Sequence, residues 1–549
     1  MRVRGRVRSM GKELTSVLLL FLLALGSIML TRAEAQDTGE NLLMTRCVAC
    51  HQPKDGKIDV VAEQRKTPEG WEMTLTRMVR AQGVKLTSEE TRTLVKYLSD
   101  TYGLAPSEVE PFRYMLEKRN AQVVKHDVSK LVQGSCMQCH SYERIALQRR
   151  SKEMWDRMPD TKLALFTNTE NVTASSGLLT DYWYSEAKKQ VVPLLAKQFA
   201  LTSPAWSKWQ GKTKVDYSGS WKIVGHDAGK GGDYTGQVTL KAMGEDKYEG
   251  DFTFDFSDGT KTSGKTTGVI YTGFQWRGSA QLDGGKMQRE IFFASEDGTI
   301  LQGRRLLTPV GDLGMDETWY KSGSKARLLS VIPPTLKAGG KQQVKIFGAN
   351  LPQNLPATAV TLGAGVKVQT LAQSGDDTVV AEVEVDKGAS VGARQVKVQG
   401  VEGTQPTYVY RTIDYIRLSP EMAFSRPGGE HTPKVFQQFE AFAYLNGPDG
   451  IKGTKDDVKL HRISPVKWNL DEYVKRLNDD DVHFVGAVDD TGLFTPAKDG
   501  PNPQRHMMDH NVGDVWVEGW YTLEGAKRPM GARAYLLVMP EKFNFQPIE

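Results

Sequence analysis

Two short stretches decide how this chain reads: Cys47-Val48-Ala49-Cys50-His51 and Cys136-Met137-Gln138-Cys139-His140. The sequence has 4 cysteines, and these two pentapeptides use all of them. Cys-x-x-Cys-His is the c-type haem attachment pattern, in which two thiols bond covalently to the porphyrin and the adjacent histidine reaches the iron. No cysteine is left for a disulfide. A zinc site made from four thiolates would leave His51 and His140 without a role. The spacing therefore implies two covalently bound haems c, anchored by Cys47 and Cys50 and by Cys136 and Cys139, with His51 and His140 as iron ligands.

Each iron needs a sixth ligand. Met73 and Met78 lie in Gly-Trp-Glu-Met-Thr-Leu-Thr-Arg-Met, residues 70–78, and Met78 is the choice because it ends the Trp71 helix, where the chain can turn back. Methionine there would raise the reduction potential relative to histidine. The second motif has no methionine in the equivalent place, since Trp155 is followed by Met158 and Pro159. His126, ten residues before Cys136, is the other candidate. It could serve its own haem beside His140, or cross to the first haem and leave Met78 to the second. A bis-histidine centre would have the lower potential, so electrons would run from it to the His/Met centre.

Around the motifs the pattern is helical from 36 to 205. In Leu86–Gly103, Thr87 or Ser88 caps a helix with Glu89 and Glu90 in its first turn and Leu94, Val95 and Leu98 on one face. The two cysteine pairs lie 89 residues apart, as in a degenerate internal duplication. Ahead of this domain, residues 1–35 read as a cleavable signal peptide: arginines, an apolar run from Val17 to Leu30, and Ala33-Glu34-Ala35. Export to the periplasm is the expected consequence, with no membrane association after cleavage. The leader accounts for a net +4 of the formal +5, so the mature chain is almost neutral and nucleic acid is not an expected partner.

Beyond Trp206 the pattern changes to short, glycine-punctuated alternating strands. Residues 212–323 are expected to form an antiparallel β-barrel, followed by immunoglobulin-like domains at 326–413 and 414–549. The expected fold is thus multidomain, an all-α dihaem cytochrome c domain followed by a barrel and two immunoglobulin-like sandwiches. Weaker signals are Asp449, Asp456 and Asp457 in the glycine-rich loop at 446–457, which offers calcium ligands without EF-hand spacing, and His506 and His510 in a loop-like segment.

Motifs CVACH, GWEMTLTRM with its following helix, CMQCH, NGPDGIKGTKDDVKL and VKWNL, in this domain order, resemble the alpha subunit of quinohaemoprotein amine dehydrogenase. The resemblance implies a periplasmic heterotrimer that oxidises primary amines to aldehyde and ammonia. It implies a gamma subunit bearing cysteine tryptophylquinone and a beta subunit that is a propeller. This chain would take electrons from the quinone to a soluble cytochrome c or blue-copper acceptor, with no catalytic residue for the amine chemistry. One His/Met and one bis-histidine haem are implied, which supports Met78 and His126. Two other readings of the same residues are a dihaem peroxidase and a haem-bearing binding protein.

Overall fold

The computed structural model describes residues 38–118, 128–307, 313–323, 325–428, 434–475, 480–505 and 510–540. Helices dominate only before Gln210. After it the regular structure of the described residues is almost entirely strand. Residues 1–35, expected to be a signal peptide, and His126 lie outside the described residues. Among the described residues no helix is long and apolar enough to cross a membrane.

The expectation of an all-α dihaem cytochrome c domain is corrected. The molecule is mostly β, and its helical third contains two β ladders. One is a tight hairpin, Pro53–Lys54 with Lys57–Ile58, just after the first motif. The other pairs Gln64–Lys66 with Gln148–Arg150 and fastens the two halves of the domain together. Its strands are charged and yet almost wholly buried: Arg65 is 3% exposed and Arg149 7%. A hydropathy pattern cannot reveal such strands, because their central side chains, Arg65 and Arg149, are buried by pairing with Glu108 and not by apolar packing.

Within the first half, a helix at Gly39–Arg46 leads into the first motif and a helix at Ser88–Thr101 closes over it. Thr87 is the cap, and its capping box is complete: Glu90 N–H donates to Thr87 Oγ1 (3.1 Å) and Thr87 N–H to Glu90 Oε2 (2.7 Å). Leu94, Val95 and Leu98 face Leu42, Leu43, Trp71 and Leu75 in a small core. The helices cross at Gly39, where an added Cβ would stand 2.2 Å from Tyr97 Cβ.

Eight strands between Gly219 and Lys321 form a closed barrel, sealed by pairing of Gly314–Lys321 with Gly219–Asp227. Strand Lys247–Asp255 alternates perfectly, with Tyr248, Phe252 and Phe254 inward. Trp221, Trp276 and Trp319 fill the interior. Arg305 lies among them, paired to Glu290 and Glu317 at 2.8 Å each. The barrel is therefore a packed core. It shares one continuous hydrophobic cluster with the second half of the helical domain. Two further β units follow, each of three sheets with its own core.

Candidate haem site

The helix Lys130–Cys136, capped by Ser129, delivers the second motif. Trp183 anchors its end, with the indole N–H donating to Ser135 O at 2.6 Å. His140 follows in a turn where its ring Nδ1 lies 3.1 Å from its neighbour's carbonyl, Ser141 O. A carbonyl can only accept, so Nδ1 carries the proton and Nε2 keeps a free lone pair. Burial of the ring, reinforced by Lys162 and Arg144, lowers its pKa to about 3, so the imidazole is neutral. Burial also pushes the Cys136 thiol up to about 12, so it stays protonated.

Two cavities flank His140. The smaller, about 110 Å³, is lined by Cys136, Cys139, His140, Met158, Phe166 and Trp183. The larger, about 270 Å³, adjoins it, sharing His140, Arg144, Met158 and Lys162, and reaches across to Met73 and Gly70 of the first half. A thiol pair, a neutral imidazole with its lone pair free and adjoining apolar space are what a haem c requires, so these residues fit the group.

The first motif closes its helix with a turn in which Cys50 N–H and His51 N–H both donate to Cys47 O, at 3.2 and 2.9 Å. Cys47 and His51 are half-buried and Cys50 is exposed. Neither cavity beside His140 reaches them. Among the described residues the only three or more His, Cys, Asp or Glu side chains that converge within 4.8 Å are Asp449, Asp456 and Asp457. The four thiols do not gather, which removes the zinc reading.

A local two-fold relates the halves. Arg65 pairs in register with Arg149, and Gln64 and Lys66 pair with Arg150 and Gln148, so adding 84 to a residue number maps each strand onto its partner. The relation extends to side chains. Trp71 and Trp155 are both fully buried, with indole N–H groups donating to Tyr102 O (3.1 Å) and Phe199 O (3.0 Å). Lys66 lies 4.8 Å over the Trp71 ring and Arg150 5.6 Å over that of Trp155. The same offset carries Met78 to Lys162. Lys162 lines the larger cavity beside His140 together with Met154 and Met158 of the same half.

Met78 sits in the last turn of the helix Pro68–Gln82, half-buried, and its carbonyl accepts from Gly83 N–H and Val84 N–H (3.2 Å) as Gly83 turns left-handed at φ 72°. The helix expected to end at Met78 thus runs on to Gln82, and the chain turns at Gly83. Met73, passed over in the sequence, is the methionine of this helix that lines the larger cavity. His510 is exposed, 3.9 Å from Asp499, and His506 lies outside the described residues. In the 446–457 loop, Asp457 accepts from Gly447, Gly453 and Thr454 N–H at 2.7–3.0 Å and from the Tyr415 hydroxyl, so it braces the loop itself.

A haem-binding domain joined to three β-rich units is the class of protein this arrangement defines. The haem-binding model of the quinohemoprotein amine dehydrogenase alpha subunit matches residues 37–206. Models for domains II, III and IV of that subunit match 214–319, 325–411 and 416–548. The chain belongs to the family of quinohemoprotein amine dehydrogenase alpha subunits. It is accordingly one subunit of an oxidoreductase complex that contains others.

No curated protein matches the chain. Among solved structures, a de novo designed fluorescence-activating β-barrel is 15% identical, covering 19% of this chain and 93% of its own, with a TM-score of 0.17. Mouse clustered protocadherin PcdhgC3 EC1-3 is 12% identical over 44% of this chain and 76% of its own (TM-score 0.17). The Escherichia coli adhesin FdeC is 11% identical over 60% of this chain and 99% of its own (TM-score 0.14).

Proposed function

We propose that this chain is the electron-carrying subunit of a periplasmic amine dehydrogenase and that it holds two haems c, one on Cys47 and Cys50 and one on Cys136 and Cys139. The observation that carries the reading is the convergence of Cys136, Cys139 and a neutral His140 on one cavity wall. In attachment, each thiol adds across a porphyrin vinyl: a C–S bond forms, the thiol proton goes to the neighbouring carbon, and no oxidant is needed. His51 and His140 supply imidazole nitrogen to the irons, and Met78 and His126 are the proposed sixth ligands. The bound haems supply one-electron redox centres.

The residues around them set exposure and ligation, and therefore potential. A quinone reduced by two electrons must be emptied one electron at a time, which two centres in one chain allow. The proposed donor is a cysteine tryptophylquinone on a small gamma subunit, where primary amines become aldehyde and ammonia. The proposed neighbour is a β-propeller beta subunit, and the acceptor a soluble cytochrome c or blue-copper protein. All four cysteines are committed here, so the quinone crosslink must lie on another chain.

The test is denaturation and solvent extraction of the purified complex, followed by mass analysis of this chain. Two retained macrocycles per chain are expected, and a colourless polypeptide overturns the reading. Redox titration should show two separate waves, with a single two-electron wave counting against the ligand assignments. Brisk peroxide turnover would favour a dihaem peroxidase instead.

A further inference from the structure

The larger cavity beside His140 has a charge pattern that the attachment motif does not explain. Lys66, Arg77, Arg144, Arg150, Arg157 and Lys162 line it, and no Asp or Glu does. Among the described residues none of the six forms an ion pair. Lys66 Nζ donates to Thr74 Oγ1 (2.7 Å), Arg150 Nε to Gln148 Oε1 (3.0 Å), and Lys162 lies 5.2 Å over the Phe166 ring, all neutral partners. Lys66 is only 4% exposed. Arg144, Arg150 and Lys162 are half-buried, and Arg77 and Arg157 stand exposed at the rim; like charges gathered at a partly buried wall without a counter-charge are unfavourable. Arg144 and Arg150 register this, with pKa values lowered to about 10 by burial and by nearby Arg77. Elsewhere in the same domain buried cations are matched: Arg65 and Arg149 share Glu108. The cavity is thus built for an anion that the polypeptide does not provide.

Its position says which anion. Cys136 and Cys139 line the smaller cavity and not the larger, while His140, Arg144, Ile145, Met158, Lys162 and Phe166 line both. A haem c has its thioether edge on one side and its two propionates on the opposite side. We infer that the propionate carboxylates of the haem anchored at Cys136 and Cys139 enter this cavity and are neutralised there by Arg144, Arg150 and Lys66. Those three residues then act as positioning and potential-setting groups. Because Lys66 comes from the first half and Arg150 from the second, the carboxylates also join the two halves at the local two-fold. This inference rests on reading Cys136, Cys139 and His140 as a haem c site.

The test uses the intact complex carrying Arg144→Gln, Arg150→Gln, Lys66→Gln or the conservative Arg150→Lys. Haem content is measured by mass after denaturation, and both midpoint potentials by redox titration. Removing a nearby cation favours the ferric state, so one wave should move to lower potential in each Gln variant, the other should hold, and Arg150→Lys should restore much of the shift. Should a buried variant fail to fold, Arg157→Gln at the exposed rim serves, with the same direction expected. Potentials that stay put in every folded variant overturn the inference, as do equal shifts in both waves. A wild-type chain with fewer than two covalent haems would instead overturn the reading on which it rests.

Discussion

At Gly39 there is no room for a methyl group: its Cβ would stand 2.2 Å from Tyr97 Cβ. Gly39→Ala should force the helix at 39–46 away from the closing helix, at about 1–3 kcal/mol, read as a lower denaturant midpoint for the first half. His226 is a second residue whose neighbours decide its behaviour. It lies between Asp233 (2.7 Å) and Glu440 (2.9 Å), joining barrel to last domain. Burial opposes its charge, but hydrogen bonds to the two carboxylates outweigh that and raise its pKa to about 10. The folded value is above the unfolded one, roughly 6.5. The pair's stabilisation is therefore full below that pH and lost as pH rises through about 10. His226→Gln should flatten this part of the stability profile; an unchanged alkaline slope would refute it.

At the scale of elements, the ladder between 64–66 and 148–150 depends on one carboxylate. Glu108 accepts from Arg65 (2.8 and 3.0 Å), Arg149 (3.1 Å), Ser203 Oγ (2.9 Å) and Ala105 N–H (2.9 Å). Removing its charge strands two buried guanidinium groups, so Glu108→Gln should cost on the order of 3–5 kcal/mol, measured by chemical denaturation of the holo chain. A loss under ~1 kcal/mol would show the ladder to be held by its backbone alone. The closing helix rests on its cap instead, and Thr87→Ala should cost about 1 kcal/mol.

Across the whole molecule, one hydrophobic cluster runs from Leu104 and Trp155 through the helices at 183–198 into the barrel at Trp221 and Trp319. The two β units after it have cores of their own. Native-state hydrogen exchange should therefore find amides around Trp155 and amides of the barrel strands opening with the same free energy. The strands at 341–349, 513–521 and 530–538 should open independently of that cluster. Separate opening of the helical and barrel amides would show that the shared cluster is not a cooperative unit.

The sequence by itself determined what is periodic and which residues point to haem binding. Paired thiols with a following histidine name a chemistry whatever surrounds them, and alternation in 247–255 or the 3.6-residue repeat of Leu94, Val95 and Leu98 fixes a strand and a helix locally. Tertiary structure alone decided the polar interior. Gln64-Arg65-Lys66 and Gln148-Arg149-Arg150 look like solvated segments, because the partner that lets Arg65 and Arg149 be buried is Glu108, 43 residues from Arg65. The 84-residue offset that relates Trp71 to Trp155, and the cation-lined space beside His140, likewise appear only when the halves meet. Charge pairing over long sequence separations leaves no periodic trace, whereas apolar burial on a single element does.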